Sequence, residues 1–277
     1  MKIKSIILAM SGAALLAAGN TAFATCAEVS WANLKSAVSY AAGLGSSTGG
    51  YGLNMWATVV DESGKVCWVA TSGTPGALAG NSEWLGSRVI SAQKAFTANA
   101  FSLNGYAIST ANLYEAVKNG SLYGLQFSNP VDSSLAYVGS PAKYGTMNDP
   151  LVGKRIGGVN VFGGGLALYM NGVKIGALGV SGDTSCRDHA FAWNVRSKLG
   201  LQPMVGKGGT APGITTSNVN AAGAAQTPLT GAKYGDELII SSPSSIATDA
   251  YWNNWAQPAC PNSTSAATAA NGTLMVQ

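Results

Sequence analysis

The sequence predicts an α/β (α+β) domain in which helices flank a central antiparallel sheet. Three observations carry that prediction. A hairpin followed by a helix occurs twice, from Leu53 to Ser102 and from Gly165 to Leu199; turn residues separate short apolar, β-branched runs; and longer segments repeat apolar residues every three or four positions. Strands joined by tight turns pair antiparallel, and amphipathic helices bury their apolar stripe against such a sheet.

The chain opens with Lys2 and Lys4, an apolar run from Ile6 to Ala18 broken only by Ser11 and Gly12, and then Ala22-Phe23-Ala24. Residues 1–24 therefore read as a signal peptide with an A-x-A cleavage site. The run is shorter than the roughly 20 residues a spanning helix needs. A chain maturing at Thr25 is expected to be periplasmic or secreted, with no membrane insertion after leader removal. A lipoprotein reading of Cys26 lacks the aliphatic residues such a signal places ahead of the cysteine. Losing Lys2 and Lys4 leaves 14 basic and 12 acidic residues, a net charge of +2 and no footprint for nucleic acid.

Behind Ser30 as cap, Leu34, Val38 and Ala41 recur at helical spacing, and Gly43 marks the stop of an opening helix. Leu53–Val60 and Lys65–Ala70 then enclose Asp61-Glu62-Ser63-Gly64 as a hairpin. From Asn81 to Ser102, Leu85, Val89, Ala92, Phe96 and Ala100 give a long helix with one apolar face. A shorter helix is predicted from Ser109 to Asn119-Gly120, and a short strand over Leu122–Phe127. Val159–Phe162 and Gly165–Met170 read as strands, the second turning through Asn171-Gly172 into Val173–Val180. A last helix opens at Asp183-Thr184-Ser185 and ends at Gly200. These elements place one domain over residues 25–200. Residues 201–277, rich in Gly, Ala, Ser, Thr and Asn around Tyr251, Trp252 and Trp255, read as an irregular extension packed on it.

Four cysteines, Cys26, Cys67, Cys186 and Cys260, remain after leader removal, and an oxidising compartment favours two disulfides. Three connectivities are open and spacing does not choose among them. Cys26–Cys67 with Cys186–Cys260 is preferred because each bond ties a chain end to the domain.

The single histidine, His189, lies in the first turns of the last helix, where the positive end of the macrodipole favours a neutral imidazole. A neutral ring is able to ligate iron or act as a base, yet a lone histidine has no ligand spacing behind it. Cys186 and His189 are too few ligands for zinc. Ser181, Asp183, Asp188 and His189 lack a G-x-S-x-G elbow, and adjacent Asp188 and His189 diverge by about 100° on a helix. Ser91-Ala92-Gln93-Lys94 matches S-x-x-K without its companion motifs. Gly163-Gly164-Gly165 is either a bulge or a backbone approach to a ligand, with no dinucleotide or phosphate-loop spacing around it.

Five stretches together resemble one family. They are Trp84-Leu85-Gly86-Ser87-Arg88, the run from Ala92 to Phe101, Leu125-Gln126-Phe127-Ser128-Asn129-Pro130, the run from Gly157 to Gly165, and Gly179-Val180-Ser181-Gly182-Asp183 with Asp188-His189. In this order they are similar to the GlcG/HbpS haem-binding and haem-degrading proteins, over roughly Leu53 to Leu199. The resemblance implies an α-β-α layered, profilin-like domain, a homo-oligomer, and haem as cofactor, with roles in haem or iron handling or redox sensing. It leaves three functions in view: haem binding, haem degradation, and a sensory or scaffold module for another small molecule. For haem, Phe162 with Gly163 and Gly164 is expected to form the porphyrin slot, Arg88 or Lys94 to meet a propionate, and His189 to approach the iron.

Overall fold

The structure, a computed structural model, describes residues 24–45, 50–76, 84, 86–118, 120–204, 234–241, 257–258, 260 and 274–275. The expected leader up to Phe23, and Tyr251, Trp252 and Trp255, lie outside the described residues. No helix among the described residues is long and apolar enough to cross a membrane.

A short helix α1 (Ala24–Glu28) precedes α2 (Trp31–Gly43), whose cap is the expected Ser30: its Oγ accepts the Asn33 amide at 3.1 Å. Leu34, Ala37, Val38 and Ala41 form its buried face. Strands β1 (Trp56–Asp61) and β2 (Val66–Thr71) make the predicted hairpin. The buried Asp61 carboxylate closes the turn by accepting from the amides of Ser63 and Lys65. Helix α3 (Ser87–Phe101) is the long amphipathic helix, starting after Gly86.

Beyond it the chain coils through a 3-10 turn at Ala111–Leu113 and the short helices α4 (Tyr114–Lys118), α5 (Leu125–Ser128) and α6 (Ser133–Ala136). Here two predicted strands fail. Leu122–Phe127 pairs with no strand among the described residues and turns helical after Gly124, whose φ of 89° breaks any extended run. Val159–Phe162 joins no sheet among the described residues and bends at Phe162, because side chains take its donors: the Asn160 amide bonds Thr97 Oγ1 at 3.0 Å and the Phe162 amide bonds Asn160 Oδ1 at 3.2 Å.

Strands β3 (Gly165–Met170) and β4 (Val173–Ser181) turn through Asn171 and Gly172, both at positive φ, as a two-residue hairpin requires. Helix α7 (Ser185–Leu199) follows, capped by Thr184 and ended by left-handed Gly200. The sheet order is β2-β1-β4-β3, antiparallel throughout. Because strand side chains alternate, Ala57, Val59, Leu178 and Val180 meet α2 and α7, while Trp56, Val60 and Ala177 meet α3. The domain is thus an α-β-α sandwich with a core on each face of the sheet.

The disulfides are Cys26–Cys67 and Cys186–Cys260, the preferred pairing. The described part of the C-terminal extension is not wholly irregular, since it includes β5 (Leu238–Ser241), β6 (Gln257–Pro258) and β7 (Leu274–Met275), with β5 between the other two. Asp236 of this extension forms a fully buried ion pair with Arg196 of α7.

Candidate functional site

The site begins with glycines. Helix α3 lies so close to the sheet that a Cβ on Gly179 would stand 1.9 Å from the Ser91 carbonyl oxygen, and one on Gly165 would stand 2.6 Å from that of Lys94. This approach carries Lys94 across the end of β4. Its Nζ donates to the Val180 carbonyl oxygen at 3.1 Å and to Asp188 Oδ2 at 2.7 Å. Asp188, on the first turn of α7, uses its other oxygen to accept the Asp183 amide at 2.9 Å.

Both partners are buried, at 1% and 2% exposure. Burial lowers the Lys94 pKa, and the Asp188 charge opposes that shift. Burial likewise pushes the Asp188 carboxyl up to about 6 despite the Lys94 ammonium beside it. Low polarity thus narrows the gap in proton affinity between the two groups, and perturbed pairs of this kind cluster at functional sites.

Lys94 and Asp188 lie on the floor of a mostly apolar cavity of about 590 Å³. Two aromatic pairs stand on its walls. Tyr51 and Trp84 meet edge-on at 6.1 Å between centroids, and Tyr114 and Phe162 tilt together at 5.6 Å. Such pairs offer flat apolar surface with little side-chain freedom to lose. Gln257 and Pro258 of the C-terminal extension line the cavity as well. Gln257 is fixed there by accepting the Gly163 amide at 3.0 Å and donating to Ser185 Oγ at 3.2 Å.

Of the residues expected to hold haem, Lys94 and Phe162 line this cavity, and so do Ser181, Asp183 and Asp188 of the incomplete serine–acid set. Gly163, Gly164, Arg88 and His189 are not among its lining residues. Gly163 and Gly164 pack against backbone: a Cβ would fall 2.4 Å from the Ser185 carbonyl oxygen at Gly163 and 2.3 Å from that of Val180 at Gly164. They let the segment bearing Phe162 nest against α7 and β4, so they shape the wall without touching the cavity. Arg88 is held by a two-pronged ion pair with Asp149 and stacks on Tyr144 at 3.6 Å. One helical step from Ser87, which lines the cavity, turns it about 100° away. Ser91, the serine of the S-x-x-K match, bonds Thr58 Oγ1 at 2.7 Å and faces the sheet.

His189 is also buried outside the cavity, at 1% exposure, stacked on Trp193 at 6.2 Å. Burial is the main reason its pKa is pushed down to about 3; the Arg196 and Lys94 charges add to it and the Asp236 backbone offsets it only in part. The ring is neutral as expected, through burial more than through the helix dipole. Among the described residues neither nitrogen makes a hydrogen bond of normal geometry. A folded state that resists protonation loses stability as pH falls from the unfolded value of about 6.5 toward the folded one, at about 1.4 kcal/mol per pH unit. Urea unfolding at pH 7, 6 and 5 is therefore expected to show a shallower decline in His189→Leu than in the wild type. Equal declines would refute this assignment of the imidazole.

Sequence reasoning missed the cavity aromatics Tyr51 and Tyr114, the wall residue Gln257 and the pairing of Asp188 with Lys94. An isolated tyrosine carries no periodic signal, and the ion pair joins residues 94 positions apart.

The model of the family described as haem degrading protein HbpS-like matches residues 33–196. No protein of curated function matches the chain. Among solved structures, the chain is similar to one described as the PduOC:heme complex, with 23% identity, 61% of this chain and 91% of that one covered, and a TM-score of 0.40. It is also similar to the Klebsiella pneumoniae protein ORFY, with 21% identity, 62% and 90% coverage and a TM-score of 0.39. A double mutant of HbpS from Streptomyces reticuli matches at 14% identity, 70% and 97% coverage and a TM-score of 0.36.

Proposed function

The chain belongs to the HbpS-like family of haem degrading proteins, whose model covers more than half of it, and we propose on that premise that it binds haem in the cavity between α3, the 162–165 segment and the start of α7. The observation that carries this reading is the aromatic-walled cavity. Its volume of about 590 Å³ falls within the roughly 300–1,000 Å³ of ligand and cofactor sites. A porphyrin asks for flat apolar walls, and Tyr51, Trp84, Ile90, Tyr114 and Phe162 offer them. The residues present thus fit the macrocycle. Lys94 and Asp188 form the polar floor of this cavity, away from its aromatic walls. Arg88 and His189, buried outside the cavity, take no part in this reading. Bound haem would supply iron chemistry toward peroxide or a reductant.

Haem degradation is the second reading, favoured by the family and by the buried Lys94–Asp188 ion pair on the cavity floor. The two disulfides support export to an oxidising compartment. Haem or iron handling or redox sensing there, in a homo-oligomer, completes the proposal.

Titrating haemin into the disulfide-intact chain is expected to give a saturable Soret shift at one haem per chain. Phe162 is 45% exposed, so truncating it in Phe162→Ala forfeits part of an aromatic contact and is expected to weaken binding about tenfold. His189→Ala is expected to leave the band in place. No saturable shift would overturn haem binding and leave a scaffold or sensory module for another ligand, while loss of the band in His189→Ala would return the histidine to the site.

A further inference from the structure

The cavity floor offers one donor that the protein itself does not use. An ammonium has three N–H groups. Lys94 directs two of them to the Val180 carbonyl oxygen and Asp188 Oδ2, and among the described residues the third meets no acceptor. The side chain is 1% exposed, yet it lines the cavity. A buried donor left unmatched is costly unless a ligand or water completes it.

Charge decides which acceptor suits it. Lys94 and Asp188 form an ion pair that is net neutral. The nearby Asp183 carboxylate, also on the cavity wall, is taken up by the amides of Tyr51, Leu53 and Thr184 at 2.6–3.0 Å. Arg187 sits close enough to interact with both carboxylates, but it does not line the cavity. A ligand carboxylate brought to Lys94 would share that cation with Asp188, only 2.7 Å from the nitrogen, and would add an unbalanced buried charge. Such a charge is expensive in low-polarity surroundings. A neutral oxygen adds none.

We infer that the floor of this cavity selects ligands presenting a neutral carbonyl-type oxygen on a flat conjugated ring, with Lys94 Nζ as its donor, and that it rejects carboxylates there. This deepens the reading of the cavity as the ligand site and rests on it. For a porphyrin, it turns the two carboxylates away from the floor, so the expected meeting of Lys94 with a propionate is replaced.

Three naphthalenes of one shape test the inference: 2-acetylnaphthalene, 2-naphthoate and 2-isopropenylnaphthalene, a ketone, a carboxylate and a hydrocarbon. By calorimetry at pH 8 on the disulfide-intact chain, the ketone is expected to bind at least about tenfold tighter than the carboxylate and several-fold tighter than the hydrocarbon. Lys94→Met strands the Asp188 charge and risks misfolding, so the informative variant is Lys94→Met with Asp188→Leu, which removes the pair together. In it the ketone should lose its advantage over the hydrocarbon. A carboxylate that binds as well as the ketone, a ketone advantage that survives in the double variant, or no binding of any probe would overturn the inference. The haemin titration is read separately. A Soret shift with the wrong probe order sinks the floor chemistry alone, and the right order without a Soret shift sinks haem alone.

Discussion

Gly179→Ala is expected to unfold the domain or to lower its stability by at least about 5 kcal/mol, the far end of the range for single substitutions. The added methyl would stand 1.9 Å from the Ser91 carbonyl oxygen and 2.4 Å from the Ala95 amide nitrogen. Both are backbone atoms of α3, so no rotamer change relieves the overlap and the helix itself must move. It is pinned by the core made with Val89, Ala92, Ala95 and Ala98. The site is lost with the fold, because the same close approach lets Lys94 reach Val180 and Asp188. Gly43→Ala is the control: among the described residues nothing lies within 4 Å of its Cβ position, and the change falls in the last turn of α2. It should be neutral or slightly stabilising. Thermal unfolding followed by far-ultraviolet circular dichroism compares the two, and a Gly179→Ala protein melting within a few degrees of the wild type would disprove the packing account.

Asp236→Ala is expected to cost about 4 kcal/mol, because it strands a guanidinium in the core. Arg196 and Asp236 are each 0% exposed, and the Arg196 Nη2 to Asp236 Oδ1 bond is 3.0 Å. Arg196 is boxed between Trp193 at 4.9 Å and Tyr234 at 5.9 Å, so it has no route to solvent. Removing both charges in Arg196→Met with Asp236→Leu should recover most of the loss, since a buried pair replaced by apolar groups is often neutral. Denaturant midpoints of the single and double variants make the comparison. If the single variant is as stable as the wild type, the C-terminal extension is not held to α7 in this way. If the double variant is no better than the single one, the loss comes from packing and not from the stranded charge.

Much of the architecture was legible because it rests on neighbours in the chain. Ser30 caps α2, and Asp61 and Gly64 close the first hairpin. Asn171-Gly172 closes the second at positive φ, and Gly200 ends α7. The strands over Leu122–Phe127 and Val159–Phe162 were misread because apolar runs of that length do not say whether a sheet edge waits beside them. The site was less legible. Lys94 and Phe162 were singled out and do face the cavity, whereas Arg88 is turned away by one helical step and satisfied by Asp149.

The amino-acid sequence by itself determined the class of fold, the helix ends and hairpin turns, the family resemblance, and four cysteines whose pairing it left open. Those features depend on local backbone preference and on periodicities of two and 3.6 residues. The tertiary structure alone decided that Lys94 meets Asp188, that the glycines of β4 and the 163–165 segment serve close packing, and that His189 is sealed behind Trp193 while four aromatic rings wall the cavity. Each of these is a contact between residues far apart in the chain. Its energy depends on burial and on the polarity of the surroundings, which come into being only when the layers pack.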